Sequence, residues 1–308
     1  MTDKPDKIPD NKSARDRDLF FSALQGDAAR MELLLQAGAD PNTRQARQDY
    51  APPVSALYAA ADEGRFEPVK ILVHHGAKID DGTFEGRTPL MAAVRRGDVE
   101  TAAFLIDAGA KTSLRYGPDT LIDMAERCDD PAPMLHLLLS KLGKKKLTEV
   151  FLDAARDARP AVVATAVKLG ADVNASDPSG NTALILAAQN TARPENAERV
   201  LRLLLHKVAD IDAENDMRET ALTAAMMRNP VPAETVRLLV EAGADITRGT
   251  LAGVTAYEAA QLAGNEKILP CFESARKQNV LREVKKFYEG TGNKITVKKP
   301  VNPRKPQQ

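Results

Sequence analysis

Apolar residues along this chain fall in short leucine-rich runs, each closed by a small and polar phrase. Three copies read LLLQAGADPN at Leu33–Asn42, KLGADVN at Lys168–Asn174 and LVEAGADIT at Leu239–Thr247. Close variants are LVHHGAK at Leu72–Lys78, LIDAGAK at Leu105–Lys111 and LLHKVADID at Leu204–Asp212. Clustered Leu, Val and Ile give a helix one apolar face. A glycine just beyond ends that helix, because it takes the left-handed C′ conformation without penalty. The residue at the glycine position is 38, 76, 109, 170, 208 and 243, with gaps of 38, 33, 61, 38 and 35. The 61-residue gap divides into 33 and 28 if LLLSKL, Leu137–Leu142, is a degenerate copy.

Each unit also opens alike. The phrases are SALYAA at Ser55–Ala60, TPLMAA at Thr88–Ala93, TALILAA at Thr182–Ala188, TALTAA at Thr220–Ala225 and TAYEAA at Thr255–Ala260. Ser or Thr stands where a helix N-cap should, Pro89 fills a first helical position, and Thr255 with Glu258 spells a capping box. The spacing therefore predicts a short Ala-rich helix, a second Leu-rich helix and a polar turn such as 172–181 leading to the next unit. Two such helices cannot bury their apolar faces alone, so neighbouring pairs must stack.

On these two phrases the chain resembles the ankyrin repeat family, whose pattern runs roughly G-x-T-P-L-H-x-A-A-x-x-G and then L-L-L-x-x-G-A-D-x-N. The resemblance covers about 18–276 and implies an all-α ankyrin-repeat solenoid of about eight helix-turn-helix units with projecting β-turn or hairpin loops. The units close near Gly38, Gly76, Gly109, Leu142, Gly170, Val208 and Gly243, with a last one from Gly253 to about Arg276. The family's His after T-P-L is absent; Tyr58, Met91, Ile185, Thr223 and Glu258 occupy its place. The fourth unit lacks the Gly-Ala-Asp phrase and runs through Lys144–Lys146 into the fifth, so an irregular junction is expected between units four and five, with a stack on either side. Insertions fall near Thr191–Asn196 and Asn229–Pro232.

Composition alters this picture in two places. The absence of Trp and 4% aromatic content leave the core to Leu, Ala, Val and Ile. Net charge is +0, but residues 1–17 hold five basic and four acidic side chains and residues 277–308 nine basic and two acidic, so the stretch between carries −8. The chain is expected to divide into a disordered segment over 1–17, the repeat region over 18–276 and a basic tail over 277–308, with a short helix near 279–288. Met1–Arg17 is charged and without an apolar run, so no secretory signal is expected there, and no stretch of this sequence is apolar for long enough to span a membrane. Cys128 and Cys271 lie too far apart in repeat order to pair, which favours a reducing compartment. A cytoplasmic monomer is expected, with secretion by a signal-less route left open.

The chemistry that can be searched for in sequence is sparse. His74, His75, His136 and His206 lack metal-ligand spacing, and no nucleophile elbow, phosphate loop or zinc-protease motif occurs. No enzyme activity, cofactor or metal is expected. The resemblance implies a non-catalytic scaffold that binds a protein partner on its concave first-helix face and turn tips. Carried over residue by residue, the face positions are Asp62, Glu63, Arg95, Arg96, Gln189, Asn190, Met227 and Arg228, with Arg156 and Asp157 in the fifth unit. The tip positions are Tyr50, Phe84, Arg87, Tyr116 and Met217, with Asp177 and Arg218. Aromatic, Met and Arg side chains favour such a role, whereas a lone charge such as Glu63 is ordinary surface. The alternative is nucleic acid or anionic-surface binding through the tail's Lys285, Lys286, Lys294, Lys298, Lys299, Arg304 and Lys305.

Overall fold

A computed structural model describes residues 8–47, 52–263 and 268–277 of the chain. Helices come in pairs along it: α1 (Lys12–Gln25) with α2 (Ala28–Gln36), α3 (Ala56–Asp62) with α4 (Phe66–His74), α5 (Pro89–Arg96) with α6 (Val99–Asp107), and α7 (Leu121–Ala125) with α8 (Pro131–Ser140). There follow α9 (Lys144–Arg156) with α10 (Pro160–Lys168), α11 (Ala183–Ala188) with α12 (Pro194–Leu204), and α13 (Ala221–Met226) with α14 (Ala233–Glu241). α15 (Ala256–Ala263) is followed by a helical segment over 269–277. These are the eight expected units. The tail helix near 279–288, most of the basic tail and Tyr50 lie outside the described residues.

The first helix begins earlier than the sequence reading places it. Asn11 Oδ1 accepts the Ala14 N–H at 2.8 Å and starts α1 at Lys12, so residues 12–17 are helical rather than disordered. The signal was the cap residue, since 12–17 carries no apolar pattern.

The chain divides into two compact units, Met1–Phe151 with Ala161–Ala171 and Leu152–Pro160 with Asp172–Gln308. The division runs through the fifth repeat, not between the fourth and the fifth. The irregular junction itself is present: α8 ends at Ser140 and α9 starts at Lys144, with no hairpin between. In the first unit α1, α3, α5 and α7 pack in one row, and α2, α4, α6 and α8 in another. In the second, α11, α13 and α15 form one row, and α12 packs on α14. The first helices are narrow because they are alanine-rich: Ala59, Ala60, Ala187, Ala188, Ala224 and Ala225 are fully buried. Leu72, Leu105, Leu139, Leu204 and Leu239 fill the space between rows with no exposure.

Caps fix where the first helices start. Ser55, Thr88, Thr182 and Thr220 each accept the backbone N–H three residues on, and Thr255 and Glu258 close the expected capping box at 2.9 and 3.2 Å. Glycines 38, 76, 109, 170 and 243 all sit at positive φ after the second helix. Val208, the sixth occupant of that column, does not; the Lys207 and Val208 N–H groups instead bond the Leu204 carbonyl at 2.7 and 3.0 Å.

The Asp-x-Asn part of the phrase ties repeat to repeat. Asp40, Asp172 and Asp210 each accept the N–H two residues on, at 2.9, 3.0 and 2.9 Å, an Asx turn that aims the next side chain sideways. Asn42 then accepts the Lys78 N–H, Asp80 the Lys111 N–H, Asn174 the Ala209 N–H and Asp212 the Asp245 N–H, at 2.8 to 3.0 Å. Asn174→Ala should cost about 1 kcal/mol in urea unfolding, the net worth of one such bond. An unchanged midpoint would mean water replaces it without loss.

Candidate functional site

In the first unit, α3, α5 and α7 lie side by side and the loops before them project together. Before α3, Arg44–Gln45 pair with Val54–Ser55 in a two-residue antiparallel ladder. The next turn, 81–88, is closed by the Thr83 N–H on the Arg87 carbonyl at 2.9 Å, and the third by Tyr116 and Asp119 exchanging backbone bonds at 3.1 Å. Between the helices and these turns opens a cleft of about 280 Å³. Met91 and Ala92 of α5 and Met124 of α7 floor it. Tyr58 of α3, only 5% exposed, and Tyr116 form aromatic walls, and Arg87, Arg95, Arg127 and Asp119 stand at the rim.

The rim is an ordered charge network. Arg87 lies with its guanidinium carbon 4.4 Å from the Tyr116 ring centroid and donates to the Tyr116 hydroxyl at 2.8 Å. That hydroxyl donates to Glu85 at 2.9 Å. Arg127 clasps Asp119 through both guanidinium nitrogens, at 2.5 and 2.9 Å, which holds the Asp119 carboxyl below its usual range. Arg95 and Arg47 both reach Asp62, at 2.5 and 2.6 Å, and Arg47 also bonds Glu63. Arg96 donates to the Asp62 carbonyl at 3.0 Å. Burial, aided by the Asp62 charge, pushes the Tyr58 phenol above its ordinary pKa, so it stays protonated and able to donate.

Three of the sequence-derived candidates line the cleft, Arg87, Arg95 and Tyr116; Asp62, Glu63 and Arg96 belong to the charge network joined to Arg95, and Phe84 lies on the same turn as Arg87. Phe84 is 84% exposed, with no packing of its own. Tyr116 packs instead across the neighbouring tip, where it serves as a wall. Tyr58, Met91, Met124, Asp119, Arg127 and Arg47 were not among the candidates. Three of them stand in one column: Tyr58, Met91 and Met124 are 33 residues apart, the repeat period. That column is the family's His position, and its two departures, carried one period on, would have found the floor of the cleft.

The remaining candidates lie in the second unit. Asn190 spends both ends of its amide on structure, donating to the Arg156 carbonyl at 2.7 Å and accepting from the Arg193 N–H at 2.9 Å. Gln189 is half-buried. Arg228 is half-buried, its Nε covered without a hydrogen-bond partner. Asp177 folds its own turn by accepting from Ser179 and Asn181. Arg156 bonds Asp153 and Asp177. Arg218 takes a positive φ and pairs with Glu214 at 3.6 Å. Met217 and Met227 are 59% and 56% exposed, and the Leu251 N–H reaches the Met217 carbonyl at 3.4 Å. Among the described residues no cluster suited to a metal ion occurs and no helix is long and apolar enough to cross a membrane. Cys128 and Cys271 are both free thiols.

The family profile described as ankyrin repeats (3 copies) matches residues 19–116 and 151–250. The ankyrin repeat domain-containing protein SAT10 of Stachybotrys chartarum is 29% identical over 226 residues, 70% of this chain and 11% of that protein. The putative palmitoyltransferase ZDHHC13 of Danio rerio is 28% identical over 84% of this chain and 35% of its own length. The chain thus spans about a third or less of these curated relatives. A solved ankyrin repeat domain from Acinetobacter baumannii AYE is 24% identical, covering 71% of this chain and 96% of its own, with a TM-score of 0.39. With the profile matching well over half of its residues and the Gly-Ala-Asp-x-Asn ladder tying its helix pairs together, the chain belongs to the ankyrin repeat family.

Proposed function

We propose that this protein is a non-catalytic binding module, acting as a cytoplasmic monomer, whose first-unit cleft and adjoining tips hold an extended segment of a protein partner. Ankyrin repeats generally mediate protein–protein interaction. The observation that carries the reading is the cleft's make-up. It is a concave site with an apolar floor, two tyrosine walls and an arginine rim, and the tip beside it presents Phe84 at 84% exposure. Large aromatic and Arg side chains are those that supply most binding energy at interfaces, and an exposed Phe on a polar turn has no other packing to do.

The test uses binders selected on the full chain from a displayed library of random peptides. Phe84→Ala and Arg95→Ala should each weaken them by about tenfold, the cost of a modest interface anchor. Thermal unfolding should shift little, because Phe84 is exposed and Asp62 keeps Arg47 as its partner when Arg95 is removed. Unchanged affinity in both variants, with native melting, would overturn this placement of the site.

A further inference from the structure

We infer that the first-unit cleft selects an acidic peptide segment carrying one large apolar side chain between carboxylates. This deepens the reading above and rests on it. The size sets the apolar part. About 280 Å³ gives room for one large apolar side chain. Met91 and Met124 at the floor are unbranched and polarisable, and adapt to the shape that enters. Tyr58 and Tyr116 line it as well.

Charge sets the rest. Three arginines and one aspartate line the cleft. The aspartate is already consumed by Arg127, and Arg95 shares Asp62 with Arg47. Arg87 is the least neutralised. Its nearest carboxylate, Glu85, is 3.6 Å away and exposed, its closest partner is the neutral Tyr116 hydroxyl, and its Nε is covered without any hydrogen-bond partner. A peptide carboxylate at the rim would meet the exposed part of the Arg87 guanidinium, a donor for charge-assisted bonds. A basic peptide would set like charges together. A neutral one would take water from the arginines and return nothing.

The full chain carries +0, with −8 over 18–276 offset by the basic residues at either end, so net charge favours neither sign of peptide and any selectivity must come from the site itself. Three fluorescent probes suffice: Gly-Glu-Asp-Phe-Asp-Glu-Gly, the same peptide with Lys for every acid, and the same peptide with Ala for Phe. Each is titrated by anisotropy against the full chain, its Arg87→Gln variant and its Tyr116→Ala variant. The acidic Phe peptide should bind at least about tenfold tighter than either counterpart. Arg87→Gln should remove about tenfold of the margin over the Lys peptide. Tyr116→Ala should weaken the acidic Phe peptide by a similar factor. If the Lys or Ala peptide binds as well, and Tyr116→Ala still weakens binding, the selectivity is overturned while the cleft stands as a peptide site. If binding ignores Tyr116→Ala, the peptide sits elsewhere and the inference fails. Absence of binding by all three overturns the inference alone, since the displayed-library selection tests the cleft separately.

Discussion

Leu204→Asp will destabilise the second unit by several kcal/mol and lower its melting transition by about 10 °C or more, at the 2–4 °C per kcal/mol usual for a chain of this size. Leu204 is fully buried on α12, in line with Ala197, Val200 and Leu201 on the same face. That face meets α11 and α14. Removing a buried leucine side chain costs about 2–5 kcal/mol through lost burial and the cavity it leaves. The aspartate adds a charge with no cation on that face, worth several kcal/mol more unless it is protonated. In a stacked array each repeat is held by its neighbours, so the loss spreads to α13 and α14. Circular dichroism during heating checks this, with Leu262→Asp as the control. Leu262 is 84% exposed on α15, so that variant should melt as the wild type does. Native melting of Leu204→Asp would remove α12 from the core.

Gly82→Ala is expected to open the 81–88 turn. A Cβ at Gly82 would stand 1.7 Å from the Arg87 carbonyl oxygen and 3.0 Å from the Thr88 Cα. Both are backbone atoms, so no side chain can swing aside. The same residue's carbonyl accepts the Ser55 N–H at 3.3 Å, and the Asp81 carbonyl accepts from the Ser55 hydroxyl at 2.5 Å. The turn is thus pinned to the start of α3, and moving it breaks both bonds. The expected cost is about 3 kcal/mol or more, in the range that marks backbone clashes and lost networks. Gly86→Ala on the same turn makes the comparison. Gly86 sits at φ 87 with nothing within 4 Å, so alanine there meets only left-handed strain of about 1–2 kcal/mol. Hydrogen exchange over 83–88 should quicken strongly in the first variant and slightly in the second. Equal protection in both would mean the turn is not held as described. Because this turn carries Phe84 and Arg87, Gly82→Ala should also abolish peptide binding.

Much of the fold was legible because each repeat writes its own boundaries. The threonine caps, the C′ glycines and the Asp-x-Asn ladder act within a few residues, or one period apart, and so appear as text. The fourth junction was visible as a missing phrase at Leu142. What was hidden depends on contacts between repeats with no fixed vocabulary. Arg87 stacking on Tyr116 joins two tips 29 residues apart, and Arg47 reaching Asp62 and Glu63 depends on the path of the first loop. Asn190 was placed on the face by its repeat position; that its amide joins the Arg156 carbonyl to the Arg193 N–H was not legible, because the second contact falls in an insertion outside the repeat pattern. The column of Tyr58, Met91 and Met124 was the one part of the cleft the sequence offered and a single-residue reading passed over.

The most direct test follows the methionines. Met91 and Met124 line the cleft of the first unit, while Met217 and Met227 are exposed in the second. Methyl-13C methionine spectra of the full chain, titrated with the tightest peptide from the displayed library, read both places at once. The account predicts shifts at Met91 and Met124, with Met217 and Met227 unmoved. Shifts confined to Met217 and Met227 would contradict it.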